Sequence, residues 1–341
     1  MYSVIFEATQ ACNHDCLHCY NVWKCDQPYP RGQLDTADTL KLIDRIIRQT
    51  RPRIFSFTGG EPLLRPDILQ LIERVKRRGI AVNLLTNGSL LTDELIGDLI
   101  GAGVSLFEIP LLSGDRDEHN YLTQSNSFDR VTEALAGIRL AGAQAVSVFV
   151  VTKRNWDHLH DMLRISFALS VNAVMVNRFN PGGSGLRHLD ELLATPEQVA
   201  GALQVANEGV KEFGLPISVS VPIPPCLFDL KAYNRLTFGF CAAGTDRAYY
   251  TFDPLGNVRM CNHSPTVLGN IRTEGFGRLV RSEAARAFNR DVPPECAECG
   301  RVAECRGNCK AAAEQACGSL CALEPFVAAN ATRRRLPRPS Q

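Results

Sequence analysis

The chain has 341 residues, 45% hydrophobic and 21% charged, which excludes a disordered protein and leaves room for one large domain and a smaller one. With 37 Lys+Arg against 36 Asp+Glu there is no charge bias toward nucleic acid or membranes, and no apolar run reaches membrane-spanning length. The N-terminus lacks the layout of a signal peptide, so a cytoplasmic location is expected, where thirteen cysteines argue for metal or redox sites rather than disulfides.

The run Tyr2-Ser3-Val4-Ile5-Phe6-Glu7-Ala8 reads as a buried first strand. The loop after it carries Cys12, Cys16 and Cys19 at C-x3-C-x2-C spacing. Closed structural zinc sites and iron–sulfur clusters normally take four protein ligands. Three close cysteines therefore suggest a cluster with one open iron, with a zinc knuckle as the alternative. His14 reads as a solvated loop residue, and Cys25, outside the spacing, as a free thiol.

Residues 34–49 carry apolar positions at helical spacing, with Asp35 or Thr36 as cap. Strands then follow at 54–57, 80–85, 104–112, 145–151 and 173–179, and helices at 68–78, 92–100, 128–141, 156–169 and 196–213. Six β–α units in a row imply a parallel sheet covered by helices, with ligands bound at the strands' C-terminal ends. Strand two ends in Thr58-Gly59-Gly60-Glu61-Pro62, where two glycines permit close backbone approach and Glu61 can accept from an ammonium group. Strand three ends in Thr86-Asn87-Gly88, and strand four runs into Ser113-Gly114-Asp115. The stretch from Asn177 to Gly185 after strand six reads as a flexible loop at the mouth, either a ligand contact or a plain connector.

From Ile217 the alternation stops, and Pro222, Pro224 and Pro225 mark a junction. Residues 248–260 read as a hairpin turning around Pro254–Asn257, flanked by Cys241 and Cys261. Then come Cys296, Cys299, Cys305 and Cys309 at C-x2-C-x5-C-x3-C spacing, and Cys317 and Cys321. Spacing alone fits a zinc ribbon or an iron–sulfur site equally.

Taken together, C-x3-C-x2-C after strand one and Gly-Gly-Glu-Pro after strand two resemble the radical SAM enzymes. The C-terminal cysteines are similar to the SPASM extension of certain members, with the pattern C-x9–15-G-x4-C, C-x2-C-x5-C-x3-C and a late Cys. The implied fold is α/β, a partial (β/α)6 TIM-like barrel at 1–215, with a small cysteine-rich α+β domain at 216–332 and a frayed basic tail at 333–341. The implied cofactors are S-adenosylmethionine, a [4Fe–4S] cluster on Cys12, Cys16 and Cys19, and two auxiliary [4Fe–4S] clusters. The resemblance assigns Cys241, Cys261 and Cys309 to the first auxiliary cluster, with Cys226 as its fourth ligand or an open iron. It assigns Cys296, Cys299 and Cys305 to the second, completed by Cys317 or Cys321. S-adenosylmethionine would meet Gly59, Gly60, Glu61 and Pro62 through its amino group, with Asn87, Ser113 and Asn177 as further contacts. His18 stands where the family usually has an aromatic residue near the adenine, and Pro-Leu-Leu before Ser113 departs from the family pattern.

The implied reaction is reductive cleavage of S-adenosylmethionine and hydrogen-atom abstraction from a side chain of a ribosomally made peptide. Oxidation or a cross-link would result, with the auxiliary clusters taking up the electron. Sulfatase maturases of this group carry an Asp base where this chain has Asn262, which leaves His263 as candidate base. Strand one begins at the N-terminus, without a domain in front to grip a leader peptide. A separate recognition protein, binding in the barrel mouth, or a non-peptide substrate is therefore expected, together with a flavodoxin- or ferredoxin-type electron donor. The alternatives are modification of a small molecule or tetrapyrrole and, in another class, a non-catalytic iron–sulfur or zinc protein.

Overall fold

The structure is a computed structural model and describes residues 3–25, 28–245 and 247–333. The basic tail lies outside the described residues, apart from the backbone of Arg333. Strands β1 (Ser3–Thr9), β2 (Ile54–Gly59), β3 (Ala81–Leu85), β4 (Val104–Pro110), β5 (Gln144–Val151) and β6 (Ala173–Arg178) come where the apolar runs predict them. Between them lie α1 (Thr36–Thr50), α2 (Ile68–Lys76), α3 (Asp93–Ala102), α4 (Arg116–Thr123) with α5 (Phe128–Leu140), and α6 (Leu159–Ala168). After β6 follow α7 (Leu189–Leu192) and α8 (Pro196–Phe213).

Local chemistry fixes the helix starts. Asp35 caps α1 by accepting from Asp38 N, and Thr195 forms a capping box with Gln198 just before Pro196. The polar α4 has no strong apolar stripe to announce it; Asp115 starts it by accepting from Glu118 N.

The parallel sheet runs two strands beyond the six of the sequence reading. β7 (Ile217–Val219) and β8 (Thr237–Phe238) add to the β6 edge, so the sheet continues past residue 215. Runs of three and two residues are too short to carry a periodic signal. The C-terminal third supplies β9 (Tyr250–Phe252), β10 (Asn257–Arg259) and β11 (Val267–Asn270), then five short helices, α9 (Phe276–Leu279), α10 (Glu283–Arg290), α11 (Val302–Cys305), α12 (Lys310–Cys317) and α13 (Pro325–Ala329). β9 and β10 are the expected hairpin, closed by Asp253 accepting from Leu255 N and Asn257 N. β9 pairs in parallel with β1, giving one open sheet in the order β11-β10-β9-β1-β2-β3-β4-β5-β6-β7-β8.

Alternation along the strands separates two faces. Val4, Phe6, Phe55, Phe57, Val82, Leu84, Phe107, Phe149 and Val174 are buried in the core beneath the helices. Phe6, Phe55 and Phe57 form an aromatic cluster there, with ring centroids 5.0–5.9 Å apart. The opposite, inner face of the curved sheet carries Glu7, Asn83, Glu108, Val146 and Asn177. No helix of the described residues is long and apolar enough to cross a membrane.

Candidate functional site: a cysteine loop pinned to the strand ends

The cysteine loop is sewn to the end of β2 by backbone. Gly60 N donates to Thr9 O and Glu61 N to Ala11 O, each at 2.8 Å, while Asn21 Nδ2 donates to Gly59 O at 3.0 Å. A Cβ on Gly59 would sit 2.2 Å from Thr9 O, and one on Gly60 2.0 Å from Ala11 O. The glycines thus admit the cysteine loop itself, a closer partner than the ligand the sequence suggests.

Glu61 is fully buried. Its Oε1 accepts from Leu63 N at 3.0 Å and Thr86 Oγ1 at 2.7 Å, and its Oε2 from Asn87 N at 2.8 Å. Burial pushes this carboxyl up, against the three bonds that favour its charge. A carboxylate has about four acceptor sites, so one remains for an ammonium group. Asn87 Nδ2 reaches Asn13 Oδ1 at 2.8 Å, joining the β3 end to the cysteine loop.

Cys12, Cys16 and Cys19 are half-buried thiols, and burial pushes all three up. Cys16 also feels Cys19 and Cys12, so the three share one small space, with Lys24 beside them. Thiols so desolvated ionise only against added positive charge, which iron supplies. Among the described residues no group of three His, Cys, Asp or Glu closes around a single metal ion. A [4Fe–4S] cubane is wider than one ion and takes its thiolates farther apart. Three thiols gathered in one small space fit a cluster held by three cysteines.

The other cysteines gather in two groups. Cys261 has Cys309 and Cys241 as charged neighbours, the set expected for the first auxiliary cluster. Cys305 has Cys226 and Cys296, so Cys226, expected near the first set, stands with the second. Cys299 is half-buried; Cys317 and Cys321 are exposed, and Cys321 lies near Lys310, which also senses Cys241. All thirteen cysteines are thiols, none in a disulfide. Cys25 Sγ lies 2.7 Å from Gln315 Oε1 and so has a partner.

Several expected contacts are placed differently. Ser113 is fully buried; its hydroxyl meets His158 Nδ1 at 2.7 Å and accepts from Asp115 N at 2.9 Å, which commits it to the turn into α4. Asn177 Oδ1 accepts from Ser220 N, Ser220 Oγ and Val221 N, tying β6 to the segment after β7. His14 is not solvated: it is 5% exposed, folded under the loop where Lys24 binds its carbonyl, and neither ring nitrogen has a protein partner. His18 keeps Nδ1 unpartnered, and burial pushes its imidazole down to about 4. Asn180 to Gly185 is not an open loop but buried throughout, because Ser184 and Gly185 bond the carbonyls of Cys16 and Cys19. His263 is stacked flat on Tyr20, and burial followed by Arg259 and Arg178 pushes it down to about 3, which makes it a weak proton acceptor.

Sequence reasoning assigned nothing to Glu108. It sits on the inner face of β4 between Leu85 and Val146 of the neighbouring strands, just below Thr86. Burial alone pushes its carboxyl up to about 7. The unfolded carboxyl titrates near 4.5, so the folded chain binds this proton more tightly. The group's contribution is therefore full at low pH and is lost as pH rises toward 7. Urea midpoints should fall less between pH 5 and pH 8 in Glu108→Gln than in the unsubstituted protein, by about one proton's worth of slope. Equal slopes would mean the carboxyl is solvated.

The family models agree with this geometry. "Radical SAM superfamily" matches residues 6–165, and "Iron-sulfur cluster-binding domain", SPASM, matches residues 241–306. An AdoMet-dependent heme synthase of Methanosarcina barkeri is 26% identical over 349 residues, covering 95% of each chain. The mycofactocin maturase MftC of Mycolicibacterium smegmatis is 28% identical over 318 residues, covering 90% of this chain and 77% of its own. Among solved structures, anSMEcpe with bound AdoMet superposes with a TM-score of 0.73 at 17% identity over 98% of this chain and 96% of its own. SuiB of Streptococcus suis, bound to its precursor peptide SuiA, gives 0.69 at 15% identity over 91% of this chain and 72% of its own. With its three-cysteine loop after the first strand and its cysteine-rich last third, the chain carries a radical SAM domain over residues 6–165 and a SPASM iron–sulfur cluster-binding domain over residues 241–306.

Proposed function

We propose that this radical SAM enzyme modifies a side chain of a ribosomally made peptide by oxidation or cross-linking. The observation that carries the reading is the loop of Cys12, Cys16 and Cys19 held against Gly59, Gly60 and Glu61 at the end of β2. The cluster and S-adenosylmethionine supply a 5′-deoxyadenosyl radical when bound. Cys12, Cys16 and Cys19 would hold the cluster, and Glu61 would take the ammonium of S-adenosylmethionine through its remaining acceptor site. The neutral imidazole of His18 directly precedes the third cysteine and would face the adenine. His263 as base is set aside, because its ring is committed to Tyr20 and Asn180.

The similarity to the mycofactocin maturases supports a maturation reaction, and SuiB, solved with its precursor peptide bound, points to a peptide as its substrate. A tetrapyrrole is the second reading, favoured by the heme synthase match across 95% of both chains. The first six strands of the barrel would lie in 1–215, and the cluster domain in 216–332 would extend the same sheet with β7 to β11. A cytoplasmic setting, a flavodoxin- or ferredoxin-type donor and a separate leader-recognition protein complete the proposal.

The test is anaerobic turnover of the reconstituted enzyme with S-adenosylmethionine, dithionite and either short synthetic peptides rich in Tyr, Cys and Trp or a propionate-bearing iron tetrapyrrole. Release of 5′-deoxyadenosine above the substrate-free level, with loss of hydrogen from a peptide, is expected. Stimulation by the tetrapyrrole alone would replace the peptide reading. No cleavage of S-adenosylmethionine under strong reduction would return the chain to a non-catalytic iron–sulfur protein.

A further inference from the structure

Two loops from opposite ends of the chain meet ring to ring. Tyr20 directly follows Cys19, and His263 lies two residues after Cys261. Their rings stack with centroids 3.8 Å apart and planes 15° from parallel. Asn262 Nδ2 donates to Tyr20 Oη at 2.8 Å. At the edge of the imidazole, Asn180 Nδ2 lies 2.9 Å from His263 Nδ1 and 3.3 Å from Cys309 Sγ. Gln315, on α12 and 3% exposed, reaches both loops: its Nε2 donates to Tyr20 O at 3.3 Å and to His263 O at 2.6 Å. Its Oε1 accepts from Gly183 N at 2.8 Å. Gly183 itself has φ +51, and a Cβ there would lie 2.6 Å from Cys19 O.

Ordinary core packing would fill this space with apolar side chains. Here a buried amide spans two backbone carbonyls from separate loops, and each loop carries cysteines of a different set. A satisfied buried polar network specifies one arrangement more strictly than apolar contact does. We propose that the Tyr20–His263 stack, clamped by Gln315, is a rigid bridge that holds the barrel's cysteine loop at one fixed separation from Cys241, Cys261 and Cys309. Tyr20, His263 and Gln315 are positioning residues in this role. No atom, proton or electron resides on them, and what they fix is a distance. The inference rests on both cysteine sets being cluster sites.

The experiment is pulsed EPR on reduced, reconstituted protein, reading the magnetic coupling between the barrel cluster and the first auxiliary cluster, with iron counted in each sample. Unsubstituted protein should hold about twelve irons per chain and show one narrow coupling. Tyr20→Phe, which keeps the ring, should preserve the coupling. Tyr20→Leu and His263→Leu should keep their iron but broaden it about twofold, as the stacking contact is lost. An unchanged coupling in both leucine variants would overturn the proposal. A count well below twelve irons in the unsubstituted protein would instead refute the cluster reading beneath it.

Hydrogen exchange gives a readout independent of cluster loading. In Gln315→Ala, the segments around Tyr20 and His263 should together exchange about tenfold faster, the scale of losing a buried hydrogen bond. Loosening of α12 alone would also overturn the proposal.

Discussion

Replacing Cys12, Cys16 and Cys19 together with alanine should lower the iron content of the reconstituted protein from about twelve to about eight per chain, with sulfide falling in proportion. The reasoning is spatial. Cys16 senses Cys12 and Cys19, while Cys261 and Cys305 each have thiol neighbours of their own. Removing one set therefore leaves the other two able to load. The same variant should lose all formation of 5′-deoxyadenosine, because no other described cysteine stands beside Gly59 and Glu61 to replace the missing ligands. The loop should survive, since its attachment runs through Gly60 N, Glu61 N and Asn21 rather than through sulfur. A starting content of about four irons with bound zinc would make the last third a structural zinc module and remove its part in electron transfer.

Glu61 should give the second large effect, and its two variants should separate. Glu61→Ala strands the hydroxyl of Thr86 and the amides of Leu63 and Asn87 in a site with no solvent contact. Each stranded group costs roughly 1–3 kcal/mol, so a loss of at least about 3 kcal/mol is expected in urea unfolding. Glu61→Gln keeps an acceptor for two of the three donors and should remain folded. It loses the charge, however, and should bind S-adenosylmethionine about ten- to a hundredfold more weakly, the scale of one charge-assisted hydrogen bond. Equilibrium binding to the reconstituted protein reads this directly. Unchanged affinity in the glutamine variant would place the ammonium on other acceptors and leave Glu61 as the fastener between β2 and β3.

What was legible in the sequence depended on chain distance. The cysteine spacings, the Gly-Gly-Glu-Pro turn and the apolar strands are local patterns, and β1 to β6 and the β9–β10 hairpin follow them. Tyr20, Asn180 and Gln315 read as ordinary residues because their meaning lies in contacts with partners up to 295 positions away. His14 looked like a solvated loop residue, yet the loop folds over it. Asn180 to Gly185 carries the glycines of a mobile connector, yet Gly183 instead admits the carbonyls of Cys19 and Asn21, and Gly182 the side chain of Gln315. Glu108 was invisible as a special group because only the register of β3, β4 and β5 reveals its apolar neighbours. The assignment of Cys226 likewise turned on tertiary placement, which spacing does not encode.

The pairing of β1 with β9 has a consequence for how the protein is made. β1 precedes the other described strands in the chain, yet one of its two edges is completed by β9, through the pairs Val4–Tyr250, Ile5–Thr251 and Phe6–Phe252. Until the last third emerges, an apolar strand that also leads into the cysteine loop keeps an open hydrogen-bonding edge, the feature by which chains aggregate. The barrel is thus not a finished object to which a cluster module is appended. A truncation that stops before Tyr250 removes β9, β10 and β11, one whole end of the sheet, and leaves β1 as its bare edge. During synthesis this edge of β1 stays unpaired until residues 250–252 have been added.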